Sequence, residues 1–363
     1  MIIGIPKEIK PFEYRVGLIP VSVKALVKAG HKVIVEHNAG VGAGFSDDMY
    51  IKAGSTILHS AREVYGKSET IIKVKEPQSS EFDYIKPTQT LFCFFHFASS
   101  ETLTKACLEK EIQALAFETL FDQHNRLPIL APMSEIAGKL SVQEGAKCLE
   151  NPMQGRGILL GGVPGVERGN VLILGGGLVG ENAAKVAAGL GANVTIMDIN
   201  PDRMRELETT LPPNVKTCYS SPDAISEHLS FSDLVIGAAL IPGKKAPKLI
   251  TKEMLKVMKP GSVVVDVAID QGGCFETSHP TTHHNPTYLI DNIVHYAVAN
   301  IPGAVSRTST LALNNVLLPY ALELANLGAI EFLEQSKGHC EALNMQKGKI
   351  TSAAVAETFP HLA

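Results

Sequence analysis

The chain has 363 residues, a length that suggests about two domains. Hydrophobic residues make up 45%, charged residues 19%, and the net charge is −4, which excludes a disordered chain and gives no global electrostatic reason to bind nucleic acid. The short basic group Lys244, Lys245 and Lys248 reads as a solvated loop, too small for a polyanion patch. None of the six cysteines (Cys93, Cys107, Cys148, Cys218, Cys274, Cys340) sits in a CxxC pair, and several fall in apolar segments, as expected of reduced thiols. The opening Met1-Ile2-Ile3-Gly4 has no basic leader or cleavage signal, so a cytoplasmic chain is expected. No apolar run approaches the ~18 residues of a membrane span, so no membrane partner is expected either.

In the first third, β-rich apolar runs at 32–36, 70–74, 91–97 and 112–117 alternate with helical patterns. One helix opens at Pro20 and stops at Gly30; another follows Ser46, with Asp47 and Asp48 in its first turn. The alternation predicts parallel βαβ units in a doubly wound α/β domain. A Pro-rich stretch at 127–133 marks a change, and Ser134 is the expected cap of a helix running towards Glu150. A glycine-dense loop spans 155–169. Short Val/Ile-rich strands follow at 171–174, 194–197, 215–219, 234–236 and 263–267, suited to a parallel sheet covered on both faces. From about Ser309 the chain reads as helical, and Pro319 is expected to kink or end that helix.

The strongest chemical signal is Val171-Leu-Ile-Leu-Gly175-Gly-Gly177-Leu-Val-Gly180. It follows a strand, opens a helix, and the next strand ends in Asp198. Gly175 permits the tight turn, Gly177 lets backbone approach a pyrophosphate, and Gly180 lets helix and strand pack closely. The helix N-terminus offers N–H groups and a positive dipole end to phosphates. Asp198 suits the ribose hydroxyls and would repel a 2′-phosphate, so NAD is favoured over NADP. The plain alternative is a glycine turn in an ordinary βα unit. Arg203, one turn into the next helix, reads equally as an adenine cover or as a solvated arginine.

Oxidising a small acid at Cα needs a cation for the carboxylate, an acid/base and a fixed Cα. Candidates are Arg15, Lys75 and His96 at the ends of their segments, and Asp270 after the 263–267 strand. Each also has a bland reading: an ion pair, a solvated strand end, a satisfied core histidine, a turn former. His279, His283 and His284 cluster in one loop but lack the acidic or cysteine partners of a metal site, so no metal is expected.

Further segments carry a family resemblance: Gly4-Ile-Pro-Lys-Glu, Glu13-Tyr-Arg15-Val, Lys73-Val-Lys75-Glu-Pro, Ala131-Pro-Met-Ser134-Glu, Gly161-Gly-Val-Pro-Gly-Val, Ala268-Ile-Asp270-Gln-Gly-Gly-Cys and His295-Tyr-Ala-Val-Ala-Asn300-Ile-Pro-Gly. In these, spread in register over almost the whole chain, the sequence resembles the alanine dehydrogenases, which share a fold with the NAD-binding part of pyridine nucleotide transhydrogenase. The resemblance implies two doubly wound Rossmann-like domains with an interdomain active-site cleft, in a homohexamer. Residues 1–128 and 306–363 would form the substrate domain, and 129–305 the NAD-binding domain. It places the catalytic pair on His96 and Asp270, and substrate contacts on Arg15, Lys75, Met133 and Asn300. Cofactor contacts fall on Ser134, Gly175, Gly177, Leu178, Gly180, Asp198, Arg203, Ser220, Ala239, Leu240, Val267, Ala268, Ile269, Asp270, Val298, Ala299, Asn300 and Ile301. Relatives commonly carry Leu-His-Leu at Phe95-His96-Phe97, Arg at His279 and Pro at Ser306.

The reaction so implied is reversible NAD-dependent oxidative deamination of L-alanine to pyruvate and ammonium. Three rivals stay open: a hydride-transfer subunit of a transhydrogenase, an NAD sensor without turnover, and a dehydrogenase for glycine, serine or a longer amino acid. One methylene is worth only ~1–3 kcal/mol of discrimination, so sequence does not fix the side chain accepted.

Overall fold

The computed structural model describes residues 1–239 and 246–362. The chain divides into two compact units, Met1–Met133 with Val305–Ala363, and Ser134–Ala304.

The first unit opens with β1 (Ile2–Ile5), α1 (Pro20–Lys28), β2 (Lys32–Glu36), α2 (Asp47–Lys52), β3 (Thr56–Leu58), α3 (Ala61–Lys67) and β4 (Thr70–Lys75). It continues through β5 (Thr90–Phe94), α4 (Glu101–Glu109) and β6 (Gln113–Ala116). Helix α5 (Ala131–Cys148) leads into the second unit: β7 (Asn170–Leu174), α6 (Leu178–Gly189), β8 (Asn193–Asp198), α7 (Pro201–Thr210), β9 (Val215–Tyr219), α8 (Pro222–Leu229) and β10 (Leu234–Gly237). Next come α9 (Lys252–Leu255), β11 (Val263–Asp266), β12 (Thr287–Ile290) and β13 (Ile293–Tyr296). The chain then returns to the first unit with α10 (Ser306–Glu334), α11 (Lys337–Cys340), β14 (Leu343–Gln346), β15 (Lys349–Ile350) and α12 (Ala353–Thr358).

The two sheets share a plan. The first has the order β15-β14-β6-β5-β4-β1-β2-β3 and the second β12-β13-β11-β10-β7-β8-β9. Read from one edge, each runs third, second, first, fourth, fifth, the doubly wound order whose direction reverses beside the first strand. The reversal falls between β1 and β4 in one unit and between β7 and β10 in the other. Crevices at the carboxyl ends of such strands bind ligands. Central strands are buried on both faces; every residue of β4, Lys73 and Lys75 included, is buried. The first core gathers Ile71, Leu91, Cys93, Phe95 and Ile112. The second gathers Leu172, Leu174, Val235, Val264 and Phe275.

Several elements differ from the sequence expectation. Helix α5 begins at Ala131, not Ser134. Pro132 in its first turn costs nothing there, because first-turn N–H groups have no partner inside the helix. Strand β5 stops at Phe94, short of residue 97. Helix α10 runs straight through Pro319; its break is at Gly328, with φ 79° and ψ 166°. An interior proline costs ~3 kcal/mol, which the buried face of Leu313, Leu317, Ala321 and Leu324 offsets. Among the described residues the helix over Ile301–Glu334 is, by length and composition, apolar enough to cross a membrane, which a scan for unbroken apolar runs does not register.

That helix also completes the first unit. Asn314 Oδ1 accepts from Ile19 N–H (2.9 Å) and the Ser22 hydroxyl (3.0 Å), and its Nδ2 donates to Gly17 O (3.3 Å). Residues from near the end of the chain thus fasten the segment between Arg15 and α1.

Candidate active site

In the first unit the candidate groups follow β1, β4 and β5, which are neighbours at the reversal point. Arg15 leaves the loop after β1. The next turn lies flat on β4: a Cβ on Gly17 would come within 2.6 Å of Ile72 O. Arg15 is only 2% exposed, so its charge must be met. Glu13 meets it with both oxygens, Oε1 accepting from Nε (2.7 Å) and Oε2 from Nη2 (2.5 Å). Glu13 Oε1 also accepts the Arg15 backbone N–H (3.0 Å), so the pair is locked to its own turn. Arg15 Nη1 donates to Met133 Sδ at 3.1 Å, which joins two of the expected substrate residues. Lys75, 6% exposed, closes β4.

His96 follows β5 in the left-handed region, φ 51° and ψ 44°. A non-glycine residue there is strained and needs local support. Glu118, after β6, supplies it: Oε1 accepts from His96 N–H at 2.6 Å and from Phe95 N–H at 3.2 Å. The same oxygen lies 3.8 Å from His96 Nδ1, and the imidazole stacks parallel to Phe94. The half-buried His96 is therefore held by a carboxylate on its backbone and ring side, not lost in the core.

In the second unit the glycine turn sits at the reversal point. Gly175 has φ 106°, and a Cβ there would strike Ala238 O and Ala239 N at 2.8 Å. Gly180 allows no Cβ: it would lie 1.9 Å from Gly175 O. Gly177 differs: among the described residues nothing lies within 4 Å of its Cβ position, at the N-terminus of α6. Asp198 Oδ2 accepts from Gly176 N–H (2.6 Å) and Oδ1 from Asn200 N–H (2.8 Å). Ser220 N–H donates to Asp198 O at 3.0 Å. Arg203 is no solvated helix arginine: Nε donates to Gly176 O (2.7 Å), and Nη2 pairs with Glu181 at 2.5 Å. Burial disfavours its charge, but Glu206 and Glu181 outweigh that and raise its pKa.

The third edge of this unit's site follows β11. Asp266, buried, accepts from Cys274 N–H (2.9 Å) and Phe275 N–H (3.3 Å), and burial pushes its pKa up against those bonds. This closes the loop that carries Val267, Ala268, Ile269 and Asp270. Asp270, exposed in the middle of the 3-10 turn Ile269–Gln271, accepts from Asn300 N–H at 3.3 Å. Asn300 is left-handed at φ 65°, and its carbonyl meets His283 Nε2 at 3.2 Å. Val298 and Ile301 are buried, with Ala299 between them half-buried. Ser134 is half-buried in the first turn of α5, and Leu178 is exposed at the start of α6. Leu240, like Lys244 and Lys245, lies outside the described residues. His279 stacks on Tyr288 with ring centroids 3.7 Å apart. Among the described residues no group of three His, Cys, Asp or Glu is placed to hold a metal.

Glu13 and Glu118, which hold Arg15 and His96, were not among the residues the sequence pointed to, although Glu13 stands two residues before Arg15 in the segment Glu13-Tyr-Arg15-Val.

The N-terminal domain of alanine dehydrogenase/PNT matches residues 4–137, and the C-terminal domain matches residues 141–353. The chain belongs to the alanine dehydrogenase/PNT family. Within it, alanine dehydrogenase of Methanococcus maripaludis is 52% identical, over 98% of this chain and 96% of its own. Alanine dehydrogenase 2 of Staphylococcus aureus is 52% identical, over 99% of this chain and 96% of its own. A solved L-alanine dehydrogenase superposes with a TM-score of 0.94 at 49% identity, covering 100% of both chains. A transhydrogenase from Sinorhizobium meliloti superposes with a TM-score of 0.81 at 25% identity, covering 98% of this chain and 100% of that one.

Proposed function

We propose that the chain is an L-alanine dehydrogenase: L-alanine, NAD+ and water give pyruvate, ammonium, NADH and a proton, reversibly. The observation that carries this is full-length identity of about half to alanine dehydrogenases, against 25% to a transhydrogenase of the same fold.

The second unit fits NAD. Open space over Gly177, a helix N-terminus behind it and a carboxylate at the end of β8 are what a pyrophosphate and an adenosine ribose require. Gly175, Gly177, Leu178 and Gly180 would hold the pyrophosphate, Asp198 the ribose, and Arg203, Ser220, Ala239 and Leu240 the adenosine end. Ser134, Val267 to Asp270 and Val298 to Ile301 would line the nicotinamide end. Bound there, NAD supplies the hydride acceptor.

The chain's own residues do the rest. Arg15, oriented by Glu13, binds the alanine carboxylate, and Lys75 bonds the carboxylate or the developing carbonyl oxygen. Met133 and Asn300 border the reacting carbon. After Cα has lost hydride, His96 takes a proton from the water that adds to the imine. It passes that proton to the amine nitrogen and takes the carbinolamine hydroxyl proton as the C–N bond breaks, so that ammonia leaves and the carbonyl forms. Asp270 orients amine and water and stabilises the cationic states. Residues 1–128 and 306–363 act as the substrate domain and 129–305 as the NAD domain. The enzyme works as a cytoplasmic homohexamer with small-molecule partners only, which light scattering of the purified protein checks.

The deciding measurement is reduction of NAD+ by the purified protein with L-alanine, with D-alanine, L-serine and NADP+ as controls. Reduction with L-alanine and NAD+ alone is expected. Tight NADH binding without turnover would move the chain to a sensor or transhydrogenase-like role.

A further inference from the structure

The end of β4 is held by a buried side chain where a backbone partner is missing. β1 pairs with β4 only at Ile3↔Thr70 and Gly4↔Ile71. On the other side, the β4–β5 register shifts between Ile72 and Lys75. Glu8, just beyond β1, takes over: Oε1 accepts from Val74 N–H at 2.6 Å and from Lys75 N–H at 3.2 Å. Adjacent N–H groups of a regular strand point to opposite sides. Their convergence on one oxygen is the bulge itself, a device that re-aims side chains beside active sites.

The other oxygen of Glu8, Oε2, lies 3.4 Å from Lys73 Nζ, a charge contact and not a hydrogen bond. That ammonium is held by both oxygens of Glu81, at 3.0 and 2.9 Å, and the Tyr65 hydroxyl donates to Glu81 at 3.0 Å. Glu8, Lys73, Glu81 and Tyr65 are all buried. An ionic cluster in a core is seldom the most stable filling for its volume, so it asks for another reason to be there. Burial pushes the Glu8 carboxyl up to about 7; Lys73 opposes this, while Glu13 and Glu81 add to it. With one ammonium between two carboxylates, Glu8 serves here chiefly as an acceptor of backbone hydrogen bonds.

We propose that Glu8 is a positioning residue for the substrate: its carboxyl oxygen fixes the bulged end of β4 and so the direction in which Lys75 presents its ammonium, with the Lys73–Glu81 pair fixing Glu8. This rests on the reading of Lys75 as a substrate ligand.

Two variants separate reach from charge. Glu8→Asp keeps the charge but withdraws the oxygen by one methylene; Glu8→Gln keeps an acceptor oxygen in place. Glu8→Asp should raise the KM for L-alanine and pyruvate about ten-fold or more, while the NADH Kd, read by fluorescence, moves less than about two-fold. Glu8→Gln should stay within about three-fold on both. Hydrogen exchange of the peptide covering residues 70–77 should quicken in Glu8→Asp and hold in Glu8→Gln. The proposal is overturned if Glu8→Asp leaves KM and exchange unchanged, or weakens NADH and substrate alike. It is equally overturned if Glu8→Gln opens residues 70–77, an arm that holds even should Glu8→Asp not fold. A wild-type protein inactive on L-alanine would sink the proposed function instead, and the exchange result would still decide whether Glu8 clamps β4.

Discussion

At the scale of single residues, the first unit keeps its cation in order by spending one carboxylate on it. Glu13 binds the Nε–Nη2 side of Arg15 and that residue's own backbone N–H, with side-chain exposures of 2% for Arg15 and 0% for Glu13. A lysine in that place keeps the charge but has no planar fork to match two oxygens at once. Arg15→Lys should therefore raise the KM for L-alanine and pyruvate by about ten- to a hundred-fold, with a smaller change in kcat. An unchanged KM would remove Arg15 from the substrate's contacts. The residues named as candidates were legible because each sits in a distinctive segment: Lys75 ends β4, His96 follows β5, and Arg15 stands in the loop after β1. Their supports were not. Glu118 is 22 residues from His96 in sequence and meets it only because β5 and β6 are neighbours. Glu8 is 66 residues from Val74 for the same kind of reason.

At the scale of elements, local chemistry was readable wherever it sufficed. The strand–glycine–helix–strand order from β7 to β8 is one such place, and the space it leaves is narrow. A methyl group at position 180 would stand 1.9 Å from Gly175 O, which is backbone and cannot turn aside. Gly180→Ala should abolish measurable NADH binding and cost more than the ~1–3 kcal/mol of ordinary overpacking. A variant with the NADH Kd of the wild type would show that the turn is not the cofactor cradle. Tertiary packing overrode local signals elsewhere: β5 ends early because Glu118 captures the next two N–H groups, and α10 passes Pro319 because its apolar face is buried. No window of sequence could show Asn314 fastening Ile19, 295 residues earlier. Asn314→Ala strips a buried N–H and a hydroxyl of their acceptor and should destabilise the fold by about 1–3 kcal/mol, read as a lowered Tm. A Tm equal to the wild type would mean that these bonds add nothing net to the stability of the fold.

At the scale of the whole molecule, both units turn the same doubly wound plan to different ends, a kinship the alternating pattern did not reveal because strand order is not a local property. They also differ in what acid does to them. In the second unit, burial lowers the pKa of His295, so folding binds fewer protons there and stability is lost as pH falls through its ordinary 6.5. In the first, burial holds Glu8 at about 7 against an ordinary 4.5, so the folded form binds more protons than the unfolded one between those values. The contribution of Glu8 is therefore complete below pH 4.5 and declines as pH climbs through about 7, by an upper limit of roughly 3 kcal/mol. Neutral Glu8 leaves Lys73 and Glu81 as a balanced pair; ionised, it adds a second buried negative charge beside them. Glu8→Gln mimics the neutral form at every pH. The Tm of the wild type minus that of Glu8→Gln should thus fall steadily as pH is raised from 4.5 to about 7.5, with His295 cancelling from the difference. A difference that stays flat, or rises with pH, would mean that Lys73 keeps Glu8 ionised throughout and that the cluster is a permanent ion triad.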